Sequence, residues 1–470
     1  IAVHYDAAAQ AQVTPRPDVV ISTKKGAGYP VGNAGQMGTL HFTNTYFLQS
    51  AIKLSGYLFF NEGTAWGTDS LTVSNMDVAF PVNFALTVTS NLTVRDGGNL
   101  TLRDAIDGSN SFQARNLMLT NGILSVSNYT GVSFQQDVSV SGAGGALNVW
   151  ASPLDIGQDL AINGGTMRYS FVSTNPHSLH FGGNLELTNG AALHLYAGPT
   201  NSIAGSFHGG LLDLSGKNLV IPTNCVLYPY SNPTNGGSIK MAVNNLTVGA
   251  GGSINANGLG YKGGDSRSQY KGYGTGGSAP RGGGGYGGQG GKSGGAPYGT
   301  VAGPMYPGSG GGGFSTYAYV GGNAGGLVHV EATGAITLDG KIFVNGLSGD
   351  SYCGGGSGGG VLLVCRTFSG NGSIYAKGGH YSNANCGGGG GGRIAIWTKV
   401  TGEIYQRVWN GLMPGSVAIS TNTLPAAFTG SFGNSVFLDG GLGSATAYNG
   451  QPGTFRWLDY SGNGTIIMVH

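Results

Sequence analysis

Short runs of alternating apolar and polar residues recur along the first half of the chain. Each run is opened by Asn or Asp, and seven of them begin at Asn91, Asn116, Asp137, Asp159, Asn184, Asn218 and Asn245. Each is followed, after a Gly or Asn, by a second alternating run. A period of two predicts strands with one buried face, and Gly and Asn supply the positive φ angles of sharp turns. Units this small cannot bury an apolar face alone, so we expect them to stack.

Two interleaved templates repeat in the second half. Gly-x-Ile-x-x-x-Gly begins at Gly252, Gly340 and Gly372, and a second apolar run begins at Val328, Val361 and Ile394, at intervals of 33 residues. The pattern predicts an all-β chain, a parallel β-solenoid (β-helix) with ordered Gly-rich arches and a small C-terminal β-domain. Jelly-roll or β-sandwich domains also produce short alternating strands, so that alternative stays open.

The repeats divide the chain into four predicted regions. These are an N-terminal arm (1–25), β-solenoid coils (26–257), a Gly-rich solenoid region with a long Gly/Tyr arch (258–400) and a C-terminal β-domain (401–470). In the arm, Ile1, Val3 and Tyr5 form a strand-like start that we expect to add to the open sheet edge of a neighbouring subunit. The alternative is that the arm caps its own first coil.

Composition limits the chemistry that the chain can perform. Of 470 residues 93 are glycine and only 9% are charged, yet 40% are hydrophobic, so a packed structure is favoured over disorder. A net charge of +2 gives no sign of a basic surface that would bind nucleic acid, and no apolar run is long enough to cross a membrane. Ile1 stands where an initiator Met is expected, so we expect a processed, mature chain.

Few residues indicate catalysis or cofactor binding. Asp104 with Asp107 and Asp155 with Asp159 are the best carboxylate pairs for a polysaccharide lyase or hydrolase, but all four fit turn positions. His177 and His180 lack a third metal ligand nearby, and the Ca²⁺-binding nonapeptide is absent in its usual form. We therefore predict a protein that is not an enzyme and has no cofactor.

Cysteines, sequons and tyrosines supply the remaining candidate sites. Cys353 and Cys386 each precede a Gly-Gly-Gly run 33 residues apart, so a disulfide between stacked turns is a candidate. Candidate glycosylation sites are Asn91, Asn99, Asn128, Asn245, Asn371 and Asn463. Eight tyrosines interrupt the glycines of the arch, and six of them are candidates for a shared role: Tyr261, Tyr270, Tyr273, Tyr286, Tyr298 and Tyr306. Their rings are expected to pin the arch to a sheet, or alternatively to form an aromatic contact surface.

The motif Gly-Ser-Ile-x-Ala-x-Gly, the Gly-rich arch and the run from Cys386 to Arg393-Ile-Ala-Ile-Trp397 carry a resemblance. Over residues 85–400 the chain resembles Gly-rich, autotransporter-like bacterial surface proteins, and it is similar in character to subunits of extracellular filaments from natural waters. The resemblance implies a secreted, all-β protein with a structural or adhesive role.

The sequence as a whole predicts a structural protomer of an extracellular filament or surface layer. Its expected partners are copies of itself, joined by strand addition and end-to-end stacking. An adhesin or carbohydrate-binding surface protein is the alternative function, with surface glycans as partners.

Overall fold

The computed structural model describes residues 1–24, 35–171, 178–199, 208–265, 270–314, 319–381, 385–400 and 436–459. They belong to two compact units, the first made of residues 1–171 and 179–193 and the second of residues 172–178 and 194–470. Strands dominate both units. In the described part of the chain the helical elements are α1 (Ala7–Ala11) and two 3₁₀ turns, Thr45–Phe47 and Thr446–Tyr448. The protein is therefore all-β, as predicted.

Nineteen strands lie wholly or almost wholly in the first unit. They are β1 (Ala2–Val3), β2 (Ile21–Ser22), β3 (Thr39–Phe42), β4 (Leu54–Phe60), β5 (Ala65–Thr68), β6 (Leu71–Ser74), β7 (Asp77–Ala79), β8 (Ala85–Arg95), β9 (Asn99–Arg103), β10 (Ser111–Thr120), β11 (Ile123–Ser127), β12 (Gly131–Phe134), β13 (Val138–Ser141), β14 (Ala146–Trp150), β15 (Leu154–Ile156), β16 (Leu160–Asn163), β17 (Thr166–Ser170), β18 (Ser178–Phe181) and β19 (Leu185–Thr188).

The following strand, β20 (Ala192–Tyr196), has residues in both units. The second unit continues with β21 (His208–Ile221), β22 (Val226–Tyr230), β23 (Ser238–Val248), β24 (Ser253–Asn255), β25 (Leu327–Ala332), β26 (Ala335–Leu338), β27 (Lys341–Phe343), β28 (Gly360–Val364), β29 (Thr367–Ser369), β30 (Ser373–Tyr375), β31 (Arg393–Thr398), β32 (Val436–Phe437) and β33 (Thr454–Asp459).

In much of the chain the strands follow one another in groups of three, and each group pairs with the next, while long strands such as β10 and β23 each take the place of two strands. Thus β12, β13 and β14 pair with β15, β16 and β17 in that order. In the second unit β25, β26 and β27 pair in the same way with β28, β29 and β30. Every strand pairing recorded within the described residues is parallel, which excludes the antiparallel jelly roll. The predicted periodicity of both templates is confirmed.

Apolar side chains form rows that run across the paired strands. In the first unit Val94, Leu119, Val140 and Ile162 are register partners, and none of them is exposed. Each inward side chain therefore packs on its equivalent in the next group. Because strands in a sheet lie about 4.8 Å apart, such rows leave no room for water between them.

The Asn and Asp residues that open the sequence repeats form a ladder at one corner of the first unit. Asn116 donates from Nδ2 to Asn91 Oδ1 at 3.0 Å, and Asp137 donates its backbone N–H to Asn116 Oδ1 at 3.3 Å. Asp159 Oδ1 in turn accepts the backbone N–H of Asn184 at 2.6 Å. Other turns use the left-handed backbone predicted for them, as at Asn121, with φ of 51°. The repeated side chain thus satisfies backbone donors that no strand partner reaches.

The Gly-rich segment 258–326 differs from the predicted projecting arch. Its glycines are mostly buried, and their backbones form hydrogen bonds with other glycine runs. Gly284 N–H donates to Gly355 O at 2.9 Å, and Gly355 N–H donates to Gly387 O at 3.0 Å. A Cβ on Gly283 would collide with the carbonyl oxygen of Gly388. Only glycine lets backbones approach this closely without side chains, as in other glycine-dependent packings. We call these interlocked runs the glycine lattice.

Residues 401–435 and 460–470, most of the predicted C-terminal β-domain, lie outside the described residues. Within 436–459, β32 pairs with β30, and β33 pairs with β31. These two strands add a further row to the parallel sheets of the second unit.

Candidate functional site

The N-terminal arm pairs with the first strands of its own chain. Ala2 and Val3 are register partners of His41 and Phe42, and the Ile1 amino group donates to the carbonyl oxygen of Thr39 at 2.9 Å. Further along the arm, β2 pairs with β4. In the single chain the arm pairs in cis, as expected for a cap on its own first coil, because β3 offers an open parallel edge. The pairing of Ile1, Val3 and Tyr5 with a neighbouring subunit stays a prediction.

Polar groups hold the arm in place. Tyr5 donates from its hydroxyl to Asn44 Oδ1 at 2.7 Å, and the Lys53 ammonium contacts the Asp18 carboxylate at 2.5 Å. Arg16 donates to the carbonyl oxygen of Leu48 at 3.2 Å and lies over the Tyr46 ring, with its guanidinium carbon 4.6 Å from the ring centroid.

Four aliphatic side chains of the arm point to solvent. The exposed fractions are 61% for Ile1, 45% for Val13, 41% for Val19 and 65% for Val20, and α1 buries no residue. These four side chains form what we call the apolar arm surface. The arm thus docks through polar groups and the Tyr5 ring, which packs against Phe47 with ring centroids 5.2 Å apart, and leaves these four aliphatic side chains in water.

The six candidate tyrosines of the arch are divided between burial and exposure. Tyr286 and Tyr261 are buried, so they cannot belong to the proposed aromatic contact surface, and Tyr270 is exposed. Tyr273, Tyr298 and Tyr306 are half-buried. Tyr298 donates its hydroxyl to the Pro307 carbonyl oxygen at 2.6 Å, and burial raises its pKa well above the usual value. The buried rings therefore support the interpretation that they pin the Gly-rich segment.

Both cysteines of the candidate disulfide are buried thiols. The glycine lattice brings their chains side by side, through the Gly355 to Gly387 hydrogen bond. Burial, together with the nearby Cys386 and Asp350, raises the pKa of Cys353 to about 12. Burial also raises the pKa of Cys386, against the charges of Lys292 and Arg281. A thiol with a raised pKa is a poor nucleophile at neutral pH.

The candidate glycosylation sites differ in what their side chains do. Asn91 and Asn245 belong to corner ladders, and Asn99 donates to Asp77 Oδ1. Asn128 donates to the Asp104 carbonyl oxygen at 3.4 Å, whereas Asn371 is exposed. Asn463 lies outside the described residues.

The carboxylates considered for catalysis are held in structural roles or are separate from one another. Asp104 is buried and accepts the backbone N–H groups of Ala105 and Asn110 at 3.0 and 2.9 Å. Asp107 is exposed in the same turn, and Asp155 faces His180 across the β15–β18 pair. His177 lies outside the described residues. Across the described ranges, no group of three or more His, Cys, Asp or Glu side chains could hold a metal ion.

A charged cluster on β23 and β25 was not predicted. Glu331 contacts Lys240 Nζ through Oε2, and its Oε1 lies 3.0 Å from Nε2 of the buried His329. Burial raises the pKa of Glu331, but the bonds and charges of His329 and Lys240 outweigh it and hold the pKa at about 2. Lys240 and Glu331 are 91 residues apart in sequence, with the Gly-rich segment between them, so no local motif marks the cluster.

No family model matches the chain, and no curated protein or solved structure matches it either. Among the described residues, no helix has the length and apolar character needed to cross a bilayer. The arm exposes four aliphatic side chains and ends in a strand, β1, that pairs on one side within the described residues, and we take it as the candidate site.

Proposed function

We propose that the chain is a structural protomer that assembles with copies of itself through its N-terminal arm. In this proposal the groups of three parallel strands within each unit are the turns of a β-solenoid. The assembly is an extracellular filament or surface layer, a location supported by the resemblance over residues 85–400.

The apolar arm surface carries the proposal. Exposed aliphatic residues next to a sheet edge favour association, because burying each one removes apolar area from water at about 25 cal/mol per Å². The arm also carries two acidic and two basic residues between positions 1 and 24, so little charge must be desolvated in a contact between identical copies.

The open edge of β1 also supports association through the arm. Within the described residues, Ala2 and Val3 pair on one side only, with β3. An unpaired edge of a parallel sheet offers backbone donors and acceptors in the arrangement that another strand of this chain satisfies. Strand addition would fix the orientation of the next copy, and burial of the apolar arm surface would provide the binding free energy.

The test replaces two arm residues with charged ones. Val19→Lys combined with Val20→Lys should raise the protein concentration needed for assembly about 10- to 100-fold, because about 1–3 kcal/mol of apolar burial is lost. Assembly is measured by light scattering coupled to size exclusion and by negative-stain electron microscopy across a concentration series.

The matched control is Ile106→Lys. Ile106 is 89% exposed and lies in the first unit outside the arm, so its substitution should leave assembly unchanged. The proposal fails if the unmodified chain stays monomeric at all concentrations. It also fails if the control disrupts assembly as much as the double arm variant does.

A further inference from the structure

A groove with a volume of about 480 Å³ opens on the first unit, on the sheet formed by β4, β7 and β9. Tyr57 is the register partner of Ala79, and Ala79 is the partner of Thr101. A short side chain thus separates two taller walls. Because neighbouring strands lie about 4.8 Å apart, β4 and β9 are separated by about 9.6 Å across the Ala79 floor.

One wall of the groove is aromatic and the other is polar. Tyr57 and Phe59 on β4 are 42% and 47% exposed, although inward neighbours such as Leu58 are fully buried. Thr101 and Arg103 line the opposite side, on β9, and Asn83 lies beside them. Among the described residues that line the groove, Arg103 alone is charged.

The polar groups of the groove have hydrogen-bonding capacity left over. Asn83 uses its Oδ1 to accept the backbone N–H of Ala105 at 2.8 Å, which leaves its amide hydrogens. The guanidinium of Arg103 and the hydroxyls of Thr101 and Tyr57 make no hydrogen bond or ion pair with the rest of the described chain. An apolar groove of a few hundred Å³ with a few converging polar groups is the usual form of a ligand site.

The location of the groove selects the kind of ligand. It lies on a sheet face where the backbone groups of β4 already pair with β3 and β7, so a peptide strand cannot be added to it. Recognition must use ring faces, hydroxyls, an amide and a guanidinium. Ring faces pack on the C–H faces of a sugar, and a guanidinium binds a carboxylate through two parallel hydrogen bonds.

We infer that this groove binds an acidic oligosaccharide, one built of uronic acid units. Tyr57 and Phe59 contact the apolar face of a sugar ring above Ala79. Arg103 pairs with the uronate carboxylate, while Asn83 and Thr101 bind hydroxyl groups. This site is separate from the apolar arm surface and does not depend on assembly.

Binding is measured by isothermal titration calorimetry of the full chain with tetragalacturonate and with maltotetraose, a neutral tetrasaccharide. Tetragalacturonate should bind at least about 10-fold more tightly, because charge-assisted hydrogen bonds are the stronger kind. Arg103→Gln should weaken tetragalacturonate binding about 10- to 100-fold and remove the preference. Phe59→Ala should weaken the binding of both sugars.

Arg115→Gln serves as the matched control, since Arg115 is also exposed on a strand of the first unit but lies outside the groove. Equal affinity for the two sugars would overturn the inference, as would equal losses in Arg103→Gln and Arg115→Gln. If Phe59→Ala changed the association state and left sugar binding intact, the groove would be a contact between copies instead.

Discussion

The glycine lattice leads to a strong prediction for a single methyl group. Gly283 is buried, donates its N–H to Gly291 O at 3.0 Å, and would place a Cβ against the carbonyl oxygen of Gly388. That carbonyl already accepts the N–H of Gly291 at 2.8 Å. In Gly283→Ala the new methyl must therefore displace an oxygen that is part of a hydrogen-bonded chain.

The expected cost combines two effects. Overpacking of a tightly packed interior costs about 1–3 kcal/mol, and a buried N–H left without its acceptor costs about 1–3 kcal/mol more. Gly283→Ala should thus lower the free energy of unfolding by about 2–6 kcal/mol. The matched control is Gly249→Ala, where the nearest atoms to a Cβ lie 3.7 Å away. There the smaller entropy of the unfolded chain should instead stabilise the protein by about 0.4–1 kcal/mol.

Urea unfolding followed by tryptophan fluorescence measures both variants. Trp397 is a suitable reporter, because it is 3% exposed and donates from Nε1 to Ala302 O at 2.7 Å, within the Gly-rich segment. The two substitutions add the same methyl group to the same unit. Changes of opposite sign in the free energy of unfolding would therefore assign the loss in Gly283→Ala to the close packing of the glycine lattice. If Gly283→Ala were as stable as Gly249→Ala, the close backbone packing described above would be refuted.

Two further predictions concern ionisable groups. Glu331 has a pKa of about 2 in the folded chain against an ordinary value of 4.5. Its ionised form therefore adds about 3 kcal/mol to the free energy of unfolding above pH 4.5, and this contribution is lost as the pH falls through 2. Glu331→Gln should lower stability by that order at pH 7 and by little near pH 2, and a pH-independent loss in urea titrations would contradict the ion-pair role. Burial raises the pKa of Cys353 to about 12 and that of Cys365 likewise to about 12, so both thiols should resist iodoacetamide at pH 8 until denaturant is added. Rapid labelling of the native chain, read by mass spectrometry, would contradict that burial.

Much of the strand arrangement could be predicted because its signal is local. Alternation within each repeat places Leu92, Leu117 and Val138 on one face, and the structure makes them register partners. The Gly-x-Ile template likewise predicts the pairing of Ile342 with Ile374. Such rows follow from matching short stretches to one another, which a sequence shows directly.

The features that were missed depend on contacts without a local signal. Glycine runs have no side chains to define a register, so the bond between Gly284 and Gly355 could not be foreseen. Glu331 and Lys240 meet only because the sheet places β25 beside β23. The groove likewise follows from Ala79 standing between Tyr57 and Thr101, three residues that belong to three separate strands.

The glycine lattice also restricts which substitutions this part of the molecule can accept during evolution. In an ordinary core, a larger residue at one position is accommodated when a neighbour mutates to a smaller one. Here the neighbour of Gly283 is the backbone of Gly388, which no substitution can shrink. No second mutation can therefore compensate for a larger residue at these positions. Sequence variation in this half of the protein is expected at the residues between the glycine runs.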